Sequence, residues 1–97
     1  MAIAKIAYIQ ALPHHIETLK SALLALEVHT RAEPGCRAFH FYQALSTPGA
    51  FVLIEHFASE DALEQHLQAP HTRHFFAQGL LTAVQAHVLP LEALPQA

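Results

Sequence analysis

Residues 33–75 decide the fold of this chain, and they read EPGCRAFHFYQALSTPGAFVLIEHFASEDALEQHLQAPHTRHF. Pro34 and Gly35 predict a turn, because proline ends a helix and glycine permits unusual backbone angles. Alternating side chains at 36–44 and 51–57 then predict two strands. The segment 46–49, Ser-Thr-Pro-Gly, predicts the turn that joins them.

The stretch ends in two helical segments. Ser59 is a typical N-cap, and two acidic residues follow it in the first turn, where the helix dipole favours negative charge. This helix should run to about Gln68, where Ala69-Pro70 interrupts it. A further helix is predicted over 71–80 and a last strand over 82–89.

Upstream of the turn, residues 3–12 alternate as a strand. Pro13 breaks that strand and is expected in the first turn of the helix that follows. From residue 14 to about 30, apolar residues recur at steps of three and four, which predicts one buried helical stripe. The stripe consists of Ile16, Leu19, Leu23 and Leu26.

The element order β-α-β-β-α-β predicts a ferredoxin-like α+β sandwich. Residues 1–97 should form a single domain, with 90–97 as a C-terminal tail that can reach a partner. With 53% hydrophobic and only 13% charged residues, so small a domain should bury some apolar surface against a second copy. A homodimer is therefore expected.

Composition also excludes several classes of partner. The formal charge is -3, and the five Lys and Arg residues form no basic stripe, so no nucleic-acid partner is expected. No apolar run approaches the ~18 residues of a membrane span, and residues 1–12 do not read as a signal peptide. The single cysteine, Cys36, fits a reducing compartment, so a cytoplasmic location is expected.

The succession of Glu33-Pro34-Gly35-Cys36, then Phe39, then Glu55 and Phe57, then His66 and His71 resembles the antibiotic biosynthesis monooxygenase (ABM-like) family. That family consists of small α+β barrels. The resemblance implies that two sheets meet face to face in a dimeric α+β barrel, with the helices outside. It also implies a pocket between the sheet and the helices of each chain.

Strand parity and the resemblance together suggest the residues of that pocket. In the strand at 51–57, Leu53, Glu55 and Phe57 share one face, and the resemblance places Glu55 and Phe57 in the pocket near Phe39 and Phe41. The candidate substrate-binding residues are Phe39, Phe41, Leu53, Phe57, Leu63 and Phe75.

Glu55, His66 and His71 are the candidate catalytic residues. A carboxylate among phenylalanines should have a raised pKa unless a histidine or an arginine compensates. Glu55 is then a general base or an acceptor for a substrate hydroxyl; alternatively, it is structural and bonds a backbone amide or a neighbouring histidine. An imidazole can deprotonate a phenol. The alternatives are that His66 bonds a carbonyl at the helix break and that His71 caps the next helix.

No metal site is expected, although the chain has nine histidines. The pairs His71–His74 and His40–His56 lack a third ligand at a recognised spacing. Cys36 has no nearby histidine with which to form a nucleophilic pair, so a structural role is expected. No flavin or nicotinamide fingerprint is visible, so no cofactor is expected either.

The chain departs from the pattern of family members with an assigned hydroxylase role. Those members tend to carry an Asn at the position of Leu53, a Trp at the position of Phe57 and a Tyr near Leu63, whereas this chain contains no Asn and no Trp. The haem-degrading branch, which depends on an Asn and a Trp, is disfavoured for the same reason.

Three functions follow as hypotheses. The first is a cofactor-independent monooxygenase that acts on a small phenolic, quinol or polyketide-like aromatic molecule. The second is a non-catalytic dimeric module that binds an apolar metabolite. The third is an isomerase that uses the same acid and base groups without oxygen.

Overall fold

A computed structural model describes residues 1–94, and the predicted element order is confirmed. The elements are β1 (Ile3–Ala11), α1 (Ile16–Arg31), β2 (Cys36–Gln43), β3 (Ala50–Phe57), α2 (Glu60–Gln68), α3 (Pro70–Ala77), β4 (Leu81–Leu89) and a short 3-10 helix (Leu91–Ala93). Residues 95–97, the end of the tail that was expected to reach a partner, lie outside the described residues. No helix within residues 1–94 combines the length and the apolar character needed to cross a membrane.

The four strands form one antiparallel sheet in the order β2-β3-β1-β4. In the centre of the sheet Glu55 on β3 lies between Lys5 on β1 and Phe39 on β2. Side chains on directly paired residues point to the same face, so these three share one face of the sheet. α1 packs along β2 and α3, and α2 packs against β3, so the helices cover the part of this face that β2 and β3 form, whereas β4 is exposed over residues 82–88.

The buried core lies between that face and the helices. Leu19, Leu23 and Leu26 of the predicted stripe are buried in α1, and Ile16 packs against them at the start of the helix. Ser59 caps α2 as predicted, because its hydroxyl accepts a hydrogen bond from the backbone N–H of Ala62 at 3.0 Å.

Two local predictions are wrong in instructive ways. Pro13 does not lie in the first turn of α1; a tight turn closes over it, where the His15 N–H donates to the Leu12 carbonyl at 3.1 Å. The helix therefore begins at Ile16. The last helical segment ends at Ala77 rather than Leu80, because Gly79 takes a left-handed φ of 63° that stops the helix.

Gly35 is needed for space rather than for its backbone angles. It has no positive φ, but a Cβ at this position would lie 2.4 Å from the Cβ of Ala62 in α2. The Gly35 carbonyl also accepts a hydrogen bond from the Ala58 N–H at 2.8 Å, at the end of β3. This close approach brings the turn at 33–35 against the start of α2.

Candidate active site

A cavity of about 150 Å³ lies between the helix-covered face of the sheet and the helices. Ala7 and Ile9 of β1 and Val84 and Ala86 of β4 contribute to its floor. Five of the six candidate substrate-binding residues line the cavity. They are Phe39, Phe41, Leu53, Leu63 and Phe75.

The sixth candidate, Phe57, lies behind the wall. Its side chain is only 1% exposed and does not line the cavity. Its ring packs against Phe39 at 6.5 Å and against His66 at 5.1 Å between centroids. Phe57 therefore supports two residues that do face the cavity.

Glu55 lines the cavity and is 8% exposed. Burial raises the pKa of its carboxyl from the ordinary 4.5 to about 7; the Lys5 ammonium lowers the pKa and the Glu33 carboxylate raises it. Within residues 1–94 the Glu55 carboxyl makes neither a hydrogen bond nor an ion pair. The expected rise of the pKa is confirmed, and neither a backbone amide nor a histidine holds the group in place.

His66 also lines the cavity and is 4% exposed. Its Nδ1 lies 2.9 Å from Oε2 of Glu33 and 3.3 Å from the Thr72 hydroxyl, so the side chain bonds a carboxylate rather than a carbonyl at the helix break. Its ring is flanked by Phe39 at 5.2 Å and Phe57 at 5.1 Å. Because Nδ1 faces Glu33, the nitrogen left for a ligand is Nε2.

His71 does not line the cavity. Its Nε2 lies 2.5 Å from the same Oε2 of Glu33, on the side away from the sheet. The ring stacks on His29 of α1 at 5.7 Å and lines a groove between α1 and α3. It does not cap α3, whose N-cap is Ala69 without a side-chain bond. The structure thus places His71 one layer behind His66.

Sequence reasoning missed two residues of the site. The sequence places Glu33 in the turn and in the family motif but gives no sign that its carboxylate bonds both His66 and His71, which lie 33 and 38 residues further along the chain. Lys5 lines the cavity beside Glu55. The sequence does carry a signal for Lys5, because it has the same strand parity as Ala7 and Ile9 and therefore points to the buried face. Burying a charged side chain there costs free energy unless the charge has a partner or a function.

Glu33, His66 and His71 are also the residues that could hold a metal ion, since their ligand atoms lie within 4.8 Å of one another. The contacts of 2.5 and 2.9 Å are hydrogen-bond lengths. They are shorter than the roughly 3.3 Å that separates ligand atoms around a tetrahedral zinc ion with bonds of about 2.0 Å. As they stand, both contacts to Glu33 are hydrogen bonds.

The His40–His56 pair and Cys36 were the other candidates for a metal site and a nucleophile, and neither forms such a site. His40 pairs with Ile54 and His56 pairs with Ala38, so the two histidines are not directly opposite. Cys36 is half-buried, and burial and the Glu33 carboxylate raise the pKa of its thiol. A thiol that keeps its proton is a poor nucleophile, which fits a structural role.

Comparison with known proteins identifies the family. The model of the family described as "Antibiotic biosynthesis monooxygenase" matches residues 2–78. This chain belongs to that family. One relative is Putative monooxygenase Rv0793 of Mycobacterium tuberculosis, which is 36% identical over 76 residues, covering 78% of this chain and 74% of the relative. Another is Putative monooxygenase YcnE of Bacillus subtilis, which is 30% identical over 73 residues, covering 75% of this chain and 77% of the relative.

Two solved structures carry the same fold. The structure of Rv0793 is 35% identical and superposes with a TM-score of 0.85, covering 100% of this chain and 99% of that one. The crystal structure of PA3566 from Pseudomonas aeruginosa is 33% identical, also with a TM-score of 0.85, and covers 91% of each chain. The ferredoxin-like α+β fold expected from the sequence is therefore confirmed.

Proposed function

We propose that this member of the family is a cofactor-independent monooxygenase that acts on small phenols or quinols. Membership of the family and the names of the relatives support the class of reaction. The proposal rests on one observation: Glu55 and His66 both line the same largely apolar cavity. Glu55 has a pKa of about 7, and His66 is held by a hydrogen bond from its Nδ1 side to Glu33.

The size of the cavity supports a single-ring substrate. A largely apolar cavity of about 150 Å³ has room for a benzene-sized molecule. Phe39, Phe41 and Phe75 offer ring faces and edges to such a molecule. Within the broader group of phenolic, quinol and polyketide-like compounds, a hydroquinone fits better than a polycyclic aromatic.

Oxygenation without a cofactor requires a substrate anion that can itself give electrons to dioxygen. Nε2 of His66 takes the proton of a substrate hydroxyl, and Glu55 exchanges a second proton because its pKa lies near neutrality. The Lys5 ammonium stabilises the anion as it forms. For hydroquinone the reaction balances as hydroquinone plus O₂ giving hydroxybenzoquinone plus water, with all electrons supplied by the substrate.

The functional unit proposed is a homodimer joined through the sheet face that the helices leave open. This face carries Tyr8, which is 50% exposed, Tyr42, which is 49% exposed, and the half-buried Val52 and Ile54. An exposed apolar face of this kind usually marks an interface. A sedimentation or light-scattering mass of twice 10.7 kDa is expected, and Tyr42→Glu should shift it toward the monomer.

An oxygen electrode tests the reaction with hydroquinone, after subtraction of the uncatalysed rate. Glu55→Gln removes the titrating group, whereas His66→Asn keeps an N–H donor toward Glu33 and removes Nε2 with the rest of the imidazole ring. Combining the two changes should abolish oxygen uptake, and undiminished uptake would refute these roles. Glu64→Gln on the exposed side of α2 is the matched control.

Other outcomes would favour the alternative functions. Tight binding of hydroquinone without oxygen uptake, with affinity that falls in Phe41→Ala and persists in His66→Asn, would indicate a binding module. Substrate turnover under strict anaerobiosis would indicate an isomerase that uses the same acid and base groups.

A further inference from the structure

We propose that Phe41 sets the size of the ring that the cavity accepts, because its side chain stands between the cavity and a second apolar space. The inference rests on the proposed function only for the class of ligand, a phenol or quinol. It assigns Phe41 as a specificity-determining residue and names the place that a larger ring would occupy.

The second space is a groove of about 160 Å³ between α1 and the strands β2 and β3, beside the cavity. Its apolar lining includes Leu23 and Leu24 of α1 and Phe51 of β3. Within residues 1–94, Phe41 is the one residue that lines both the groove and the cavity. The two spaces therefore meet at Phe41.

The sheet and the helix both continue from the cavity into the groove. On β3, Leu53 lines the cavity and Phe51 lines the groove, and these two residues share one face about 7 Å apart. On α1, Leu26 lines the cavity and Leu23, one turn earlier, lines the groove. Phe41 pairs with Leu53 in the register of the sheet, so it lies at the junction. Removing its ring would join the two spaces into one elongated cavity.

Phe41 is held at its backbone and at its ring. Its N–H donates a hydrogen bond of 2.6 Å to Oε2 of Glu27, a side chain that is only 12% exposed and that also pairs with Arg31 at 3.4 Å. Its ring meets the ring of Phe39 edge to face, with 5.3 Å between centroids and 88° between planes. A side chain held in this way excludes a second ring instead of moving aside for it.

The polar side chains around the groove already have partners. Besides Glu27, Gln43 donates from Nε2 to the Pro48 carbonyl at 2.8 Å, and Lys20 lies 3.6 Å from the Glu17 carboxylate. The groove would therefore add apolar surface to the cavity and no unpaired polar group. A fused bicyclic quinol, with its second ring free of polar substituents, is the ligand that the joined space would accept.

Binding calorimetry under nitrogen tests this without turnover. The measured quantity is the ratio of the dissociation constants of hydroquinone and 1,4-dihydroxynaphthalene. The wild type should bind hydroquinone more tightly. Phe41→Ala should move the ratio at least about tenfold toward the bicyclic ligand, because the opened groove buries the second ring. Phe76→Ala is the matched control and should leave the ratio unchanged, since Phe76 lines the cavity but not the groove.

Further variants separate size selection from a general loss of structure. Phe41→Leu keeps an apolar side chain and should give an intermediate ratio, which serves as the test if Phe41→Ala does not fold. Glu27→Ala removes the acceptor that holds the Phe41 N–H and should move the ratio in the same direction as Phe41→Ala. Glu27→Gln keeps an acceptor oxygen and should preserve the wild-type ratio.

Several results would overturn the role of Phe41. They are a wild-type ratio in the folded Phe41 variants, an equal shift in Phe76→Ala, a wild type that binds the bicyclic ligand as tightly as hydroquinone, and a wild type that does not bind hydroquinone. A wild type that selects hydroquinone but takes up no oxygen would refute the proposed reaction and leave the role of Phe41 intact. Oxygen uptake with hydroquinone, together with an unchanged ratio in Phe41→Ala, would do the reverse.

Discussion

Glu55→Gln should stabilise this protein at alkaline pH and have little effect at acidic pH. Burial raises the pKa of Glu55 from 4.5 to about 7, so ionising it costs more in the folded protein than in the unfolded chain. At about 1.4 kcal/mol per pH unit, the cost reaches about 3 kcal/mol above pH 7 and disappears as the pH falls below about 4.5. Glutamine resembles the protonated carboxyl in shape and carries no charge.

Chemical denaturation at two pH values measures the effect. At pH 5 the free energies of unfolding of the variant and the wild type should agree within about 1 kcal/mol, and at pH 8.5 the variant should be more stable by about 3 kcal/mol. In a domain of this size that difference raises Tm by roughly 12–24 °C. Glu64→Gln, at an exposed position of α2, should show no such dependence on pH.

A constant difference between Glu55→Gln and the wild type across this range would refute the reasoning, because it would show that Glu55 ionises as easily in the folded protein as in the unfolded chain. A gain in stability that accompanies a loss of oxygen uptake would show that the charged carboxylate is retained for function at the expense of stability.

Three further predictions follow from the geometry. Oxygen uptake should rise with pH through about 7 as Glu55 ionises. Lys5→Met should move this rise to higher pH, because the Lys5 ammonium lowers the pKa of Glu55. As a control, Lys20→Met on α1 should leave the pH profile unchanged. Gly35→Ala should lower the free energy of unfolding by about 1–3 kcal/mol, as measured by chemical denaturation. In the double variant, Ala62→Gly should relieve most of that loss. If the two single changes instead add up independently in the double variant, the close contact between these positions is contradicted. Ala86→Leu should fill the cavity and weaken hydroquinone binding at least about tenfold by calorimetry, whereas Ala77→Leu at the exposed end of α3 should not.

Much of the fold could be read from local pattern. The alternation in β1 and β3, the stripe in α1 and the cap at Ser59 all depend on residues a few positions apart, and each is present in the structure. Parity also placed Glu55 on the face that becomes buried, and the apolar character of its neighbours predicted its raised pKa. These features follow from backbone geometry and from the cost of burying charge.

The composition of the site could be predicted only in part. Phe57 shares the parity of Glu55, yet its ring packs against Phe39 and His66 instead of lining the cavity. His71 follows the helix break as expected, but the direction of α3 turns it toward α1 and away from the sheet. Sequence spacing specifies a face, whereas the packing of helices on the sheet specifies which residues of that face meet a cavity.

The sequence by itself determined the order of elements, the turn at 33–35, the buried face of β3 and the family. Only the tertiary structure showed that Glu33 receives two histidines across separations of 33 and 38 residues, that Nε2 of His66 is the nitrogen left for the cavity, and that Gly35 is required by contact with Ala62. The reason is the distance along the chain between the interacting residues. Strands, caps and turns arise from residues close together in sequence, whereas the contacts of the Glu33 carboxylate with His66 and His71 depend on how α2, α3 and the turn pack together.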